Sequence, residues 1–119
     1  MAREVSRGWP SPSIQPVSVA DGLGAPFAGV RTLAMCRRYL DDIVLLDDPT
    51  ILAGMRFALE RMKQVLEPAG AAALAAVLAG RIPIRDGERV AVVASGGNVE
   101  VSRVGELLAA AGTLPGASA

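Results

Sequence analysis

The sequence predicts an α/β fold: a partial three-layer α/β/α unit built on a short parallel sheet. Two continuous β-favouring runs, Ile43-Val44-Leu45-Leu46 and Val90-Ala91-Val92-Val93, predict strands covered on both faces. Helical periodicity between and behind them sets strands alternating with helices, the order of a parallel sheet. The third observation is length. With 119 residues the chain suits one modest domain, in which about two thirds of the unfolded surface is buried. Two strands make a poor sheet alone, so the unit is expected to be incomplete.

Residues 1–19 read as a disordered or extended leader, residues 20–112 as the α/β domain and residues 113–119 as a flexible tail. Trp9, Pro10, Pro12 and Pro16 interrupt the leader, which lacks both a clear period and the apolar core of an export signal. Order is expected from about Ala20. Asp21-Gly22-Leu23-Gly24-Ala25-Pro26 is turn chemistry, and Leu33, Ala34, Arg37 and Arg38 fall at helical spacing within residues 30–40.

After the first predicted strand, Asp48 is the expected N-cap, with Pro49 at the first helical position, where a missing N–H costs nothing. A long amphipathic helix is expected over 50–66: Ile51, Met55, Ala58, Leu59, Met62, Val65 and Leu66 share one face, and Arg56, Glu60, Lys63 and Gln64 the other. Glu67-Pro68 interrupts it, because proline disfavours helical geometry in the residue before it. A second helix then runs over 69–79 to Gly80, a natural helix stop. Arg85-Asp86-Gly87-Glu88 is a turn into the second strand. Val101, Val104, Leu107, Leu108 and Ala111 stripe the last helix, beyond which the chain is expected to fray.

Composition narrows the function classes. Twelve basic residues offset twelve acidic ones, so the sequence has neither the basic stripe of a nucleic-acid binder nor a polybasic membrane patch. The longest small-apolar run, 69–80, is too short to span a bilayer. No histidine is present, which removes the usual zinc pairing and the commonest general base. The single cysteine, Cys36, cannot form an internal disulfide, and the expected compartment is the cytoplasm. Two readings of Cys36 stay open, buried packing and an exposed thiol.

The feature that carries chemistry is Ala94-Ser95-Gly96-Gly97-Asn98, between a strand pattern and a helix pattern. Adjacent glycines let backbone approach a flat ligand, the following helix start offers N–H groups, and Ser95 presents a hydroxyl. Alone, the motif fits a plain strand-to-helix turn equally well, and a bland anion site at a helix start is a further reading. Glu67 reads either as a site carboxylate or as a solvated acid favoured at a helix start. Asp21-Gly22 reads either as part of a site or as a common turn.

Taken together in order, Ala20-Asp21-Gly22, Glu67-Pro68-Ala69-Gly70-Ala71 and Val92-Val93-Ala94-Ser95-Gly96-Gly97-Asn98-Val99-Glu100 resemble the C-terminal part of threonine dehydratases and serine racemases. These are fold type II pyridoxal-phosphate enzymes of the tryptophan synthase beta-like superfamily. The resemblance runs from about Ala20 to about Ala111. It implies pyridoxal phosphate as cofactor, with Ser95, Gly96, Gly97, Asn98, Glu67, Asp21 and Gly22 as cofactor-side residues. Ser95 would hydrogen-bond the pyridine nitrogen. A neutral hydroxyl leaves that nitrogen largely unprotonated, a weaker electron sink that suits elimination over transamination. Gly96 and Gly97 would admit the ring edge, Asn98 would brace the turn, Glu67 would reach the pocket rim, and Asp21-Gly22 would lie on the substrate side.

The resemblance also marks what this sequence lacks. The family's chemistry needs a Schiff-base lysine, and the one lysine, Lys63, lies on the polar helix face outside any Ser-x-Lys-x-Arg-Gly pattern. The glycine-rich phosphate loop has no counterpart either. The implied activity, β-elimination of a small hydroxy-amino acid to a 2-oxo acid and ammonia, belongs to an intact enzyme, and this chain is expected to be inactive alone. The expected partner is a complementary N-terminal half or another copy of the chain. A non-catalytic module that pairs through an open sheet edge is the alternative.

Overall fold

Residues 15–115 are described by the computed structural model. Most of the predicted leader (1–14) and the end of the predicted tail (116–119) lie outside the described residues. A 3₁₀ turn at Asp21–Leu23 is followed by four helices: α1 (Val30–Tyr39), α2 (Asp48–Phe57), α3 (Pro68–Leu78) and α4 (Val101–Ala109). One turn of π-helix, Ala58–Met62, extends α2. No helix among the described residues is long and apolar enough to cross a membrane.

The predicted sheet is not formed. Both β-favouring runs lie outside any helix, but no strand is present among the described residues, and no backbone hydrogen bond there joins 43–46 to 90–93 or either run to another segment. The reason is physical. A strand is defined by a neighbour that takes up its N–H and C=O groups, and among the described residues neither run has one. The molecule keeps the helical layer and the turns of an α/β unit while its would-be strands stand unpaired.

The helices form for the reasons their sequences give, with two shifts. Asp47, not Asp48, caps α2: its carboxylate accepts the Thr50 N–H at 2.9 Å, leaving Pro49 at the second helical position. Asp48 is freed for another bond. Its carboxylate accepts the Ser18 hydroxyl at 2.6 Å and the Val19 N–H at 3.1 Å, tying residues 18–19 onto the helix start. The predicted 50–66 helix ends early, at Met62, because Lys63 turns left-handed (φ 57°) and the Gln64 N–H reaches back to the Ala58 carbonyl at 3.1 Å. The chain beyond is extended, yet Leu66 is still buried.

Helix α3 ends as glycine dictates. Gly80 adopts φ +66°, its N–H bonds the Val77 carbonyl, and the Arg81 N–H bonds that of Ala76, the paired closure of a left-handed C-cap. On α4, Val104, Leu107 and Leu108 pack inward while Val101 is exposed. Downstream, the chain folds back onto α2, with the Gly112 N–H bonding the Pro49 carbonyl at 2.9 Å and Leu114 buried.

The core lies between α2 and α3 and is closed by α4: Leu52, Met55, Ala58, Leu66, Ala71 and Leu107 are buried together. The two central helices cross on small residues. A Cβ added to Gly54 would sit 2.6 Å from the Ala75 Cβ and 2.9 Å from its Cα, so glycine is what lets the axes approach. The Arg56 guanidinium donates to the Leu108 carbonyl, fastening α2 to the end of α4.

Candidate functional site

Three stretches far apart in sequence meet at the N-terminus of α3. Pro68 opens the helix, Glu67 occupies the N-cap position with extended backbone, and the residues around them are small, so other backbone can lie directly against the first turn. The Glu67 N–H donates to the Gly96 carbonyl at 2.9 Å. Gly70 faces the same peptide: a Cβ there would overlap the Gly96 carbonyl oxygen and lie 2.8 Å from its nitrogen. In return a Cβ at Gly96 would overlap the Glu67 carboxylate, and one at Gly97 would lie 2.7 Å from the Val65 carbonyl oxygen. The Asp21–Leu23 turn closes the other flank, where Gly22 packs so that a Cβ would meet the Ala69 Cβ at 2.9 Å. Gly70 and Gly97 are needed at this junction because backbone already fills the space a side chain would take.

The turn 95–98 is pinned by these contacts rather than by its own asparagine. Asn98 is exposed, and the local closure is a tight bond from the Val99 N–H to the Gly97 carbonyl at 2.8 Å. Ser95 is exposed, and among the described residues its hydroxyl makes no hydrogen bond, so its donor is available. Glu67 is half-buried beside Gly96. The exposed Asp21 carboxylate accepts the Gly22 N–H at 2.8 Å, which rigidifies that turn.

The expected helix does follow the glycine turn, but a second helix start lies against the turn as well. Helix α4 starts only at Val101, whereas the helix start that packs against Gly96 is that of α3. Any N–H groups that α3 leaves without intrahelical partners, and the positive end of its dipole, therefore sit beside the Ser95–Gly97 peptides. Gly70 is the residue sequence reasoning missed. Its signal was the small-residue run behind Glu67-Pro68, which only makes sense against another backbone.

Lys63 stands apart from this junction. It is exposed, and its ammonium donates to the Glu60 carbonyl at 2.8 Å. Two clefts lie elsewhere: one of about 610 Å³ beside Arg56, Arg61 and Leu114, and one of about 430 Å³ beside Val44, Leu46 and Ala76. Cys36 is half-buried on α1.

The family model described as pyridoxal-phosphate dependent enzyme matches residues 1–96. The chain belongs to that family. The match reaches back through the leader, which had suggested no family element. A relative from Sinorhizobium fredii (strain NBRC 101917 / NGR234) that carries the name threonine dehydratase is 41% identical over 103 residues, covering 85% of this chain and 31% of the relative. Among solved structures, a T.th. threonine deaminase superposes with a TM-score of 0.72 at 33% identity, over 83% of this chain and 36% of that one. Maize serine racemase gives 0.76 at 29%, over 88% and 33%. The chain has the general fold of these fold type II enzymes, yet it spans about a third of the length of the relatives it matches.

The family's cofactor is pyridoxal phosphate. Part of the junction fits such a group: an available neutral donor at Ser95 stands next to two peptides bare of side chains. The phosphate end of the cofactor has no glycine-rich loop in this sequence, and the one lysine faces solvent.

Proposed function

We propose that this chain is the C-terminal portion of a threonine or serine dehydratase-like enzyme and supplies the contact to the ring nitrogen of pyridoxal phosphate. The observation that carries the reading is the convergence of three family motifs on one helix start, with the Ser95 hydroxyl left free above the Gly96–Glu67 contact. When bound, the cofactor supplies the electron sink for β-elimination of a small hydroxy-amino acid such as threonine or serine, giving a 2-oxo acid and ammonia.

In this reading Ser95 donates its O–H to the ring nitrogen and holds that nitrogen unprotonated. Gly96 and Gly97 hold the turn tight against Glu67 and Val65, so that its backbone stands beside the ring edge. Glu67, Asn98 and the Asp21-Gly22 turn line the rim, with Asp21 toward the substrate. None of these groups is a base or nucleophile for the substrate. The chain by itself is therefore inactive, and turnover requires the lysine and phosphate loop of a complementary N-terminal half.

Cofactor spectroscopy tests this on the chain combined with such a half. Ser95→Ala should weaken cofactor binding. Ser95→Asp should shift the bound cofactor's visible absorbance and its pH titration, because a carboxylate favours the protonated ring. Spectra identical to wild type for both variants would remove Ser95 from the cofactor. Turnover by the 119-residue chain alone would refute the claim of inactivity.

A second reading, a non-catalytic module that pairs through an open edge, is favoured by the 43–46 and 90–93 runs, unpaired among the described residues, and their exposed Leu45 and Val93.

A further inference from the structure

The 43–46 and 90–93 runs share features that the junction does not use. Both are aliphatic and uncharged, and both lie outside any helix. Among the described residues neither gives or receives a backbone hydrogen bond, apart from the Ile43 N–H, which bonds the Asp42 carboxylate. Their side chains are out of place on a finished surface: Leu45 is 77% exposed, Val93 72% and Val90 48%. The cleft of about 430 Å³ adjoins the first run and is lined by Val44, Leu45 and Leu46 together with Ile51, Ala76 and Ile82. Open backbone, apolar side chains and an adjoining apolar hollow together are what an added strand would fill.

Resting on the fragment reading above, we propose that these two runs are docking edges for β-strands of a polypeptide carrying the remaining two thirds of the same fold. Three arguments single out that occupant. The chain superposes on intact enzymes over 83–88% of itself but only 33–36% of them, so most of the fold that would flank these runs is not in this sequence. Each run leads at its C-terminal end toward a helix, 43–46 into α2 and 90–93 through the Ser95 turn toward α4, the strand-to-helix order of a parallel sheet. A second copy meeting the same run across a two-fold axis would pair antiparallel instead. Docking would also fix the run that leads into the Ser95 turn, joining assembly to completion of the cofactor site.

The test is co-expression of the full chain with the part of the Sinorhizobium fredii relative outside its match, followed by sedimentation velocity and titration of the purified components without cofactor. A one-to-one complex is expected. Leu45→Lys and Val93→Lys should each weaken it at least about tenfold while leaving the circular dichroism of the free chain unchanged, whereas Met35→Lys, an exposed apolar residue on α1, should leave it intact. Components that stay separate, a chain that pairs only with itself, or a complex indifferent to both lysines would each overturn the proposal. Ser95→Ala separates the two readings: it should leave assembly untouched while weakening cofactor binding. If assembly depends on the edges but Ser95→Ala leaves the cofactor spectrum unchanged, the cofactor reading fails and the docking edges stand.

Discussion

The junction at the start of α3 and the 43–46 and 90–93 runs are built from similar small and aliphatic residues, yet one is closed and the other open. At the junction, Gly22, Gly70, Gly96 and Gly97 each lie against a specific atom of another segment, and the Glu67 N–H is bonded to Gly96. In the runs, Leu45 and Val93 face outward and the backbone pairs with no other backbone among the described residues. The difference teaches that helix-to-turn packing is completed by contacts between described segments, whereas sheet pairing finds no neighbour among the described residues.

The largest effect should come from removing what holds the closed region. Leu52 is 1% exposed at the centre of the core, and Leu52→Ala should cost about 2–5 kcal/mol, read as a lower urea midpoint for the loss of helical circular dichroism. Gly70→Ala attacks the junction itself. Its methyl would overlap Gly96 backbone, which cannot swing aside as a side chain can, so a loss of about 1–3 kcal/mol is expected, together with weaker cofactor binding in the assembled protein. Unchanged stability in Gly70→Ala would mean that the Gly70–Gly96 contact is not tight in solution.

The open region should respond in the opposite way. Leu45→Lys and Val93→Lys replace side chains already in water, so the free chain should keep its stability in urea to within about 0.5 kcal/mol. A loss comparable to that of Leu52→Ala would show that these runs are buried in the free chain and erase the contrast between the regions.

That contrast also explains what could be read from residues alone. Helices α2, α3 and α4 were legible because period, proline and glycine act within a few residues of each other. The adjacent pair Asp47-Asp48 offers two equivalent caps, and only the tertiary bond from Asp48 to Ser18 decides between them. The π turn after Phe57 and the left-handed Lys63 had no signal, since nothing in that sequence is unfit for an ordinary helix. The three motifs were visible because glycine turns are local, but the helix start they pack on was not, because Gly70 meeting Gly96 is a contact across 26 residues of chain. The sheet failed for the deepest reason. Strand propensity is written in one segment, but a strand exists only in a pair.

The smallest effect should be electrostatic and confined to the helix that supports the junction. The Asp47 pKa is held below its ordinary value of 3.8, first by the Thr50 side chain and then by the Thr50 N–H, with Arg81 adding a weak attraction. A carboxylate whose pKa is lower folded than unfolded contributes stability that is complete above the unfolded value and fades as pH falls through the folded one. The cap should therefore weaken only below about pH 4. Asp47→Asn keeps an acceptor for the Thr50 N–H but cannot titrate, so its stability relative to wild type should be flat from neutral pH down to about 4 and should shift in favour of the variant below it. Asp47→Ala, which has no acceptor, should lower stability at neutral pH and lose that disadvantage in acid. A stability difference from Asp47→Asn that stays unchanged down to about pH 2, below the ordinary carboxylate range, would show that the Asp47 charge does not stabilise the cap of α2.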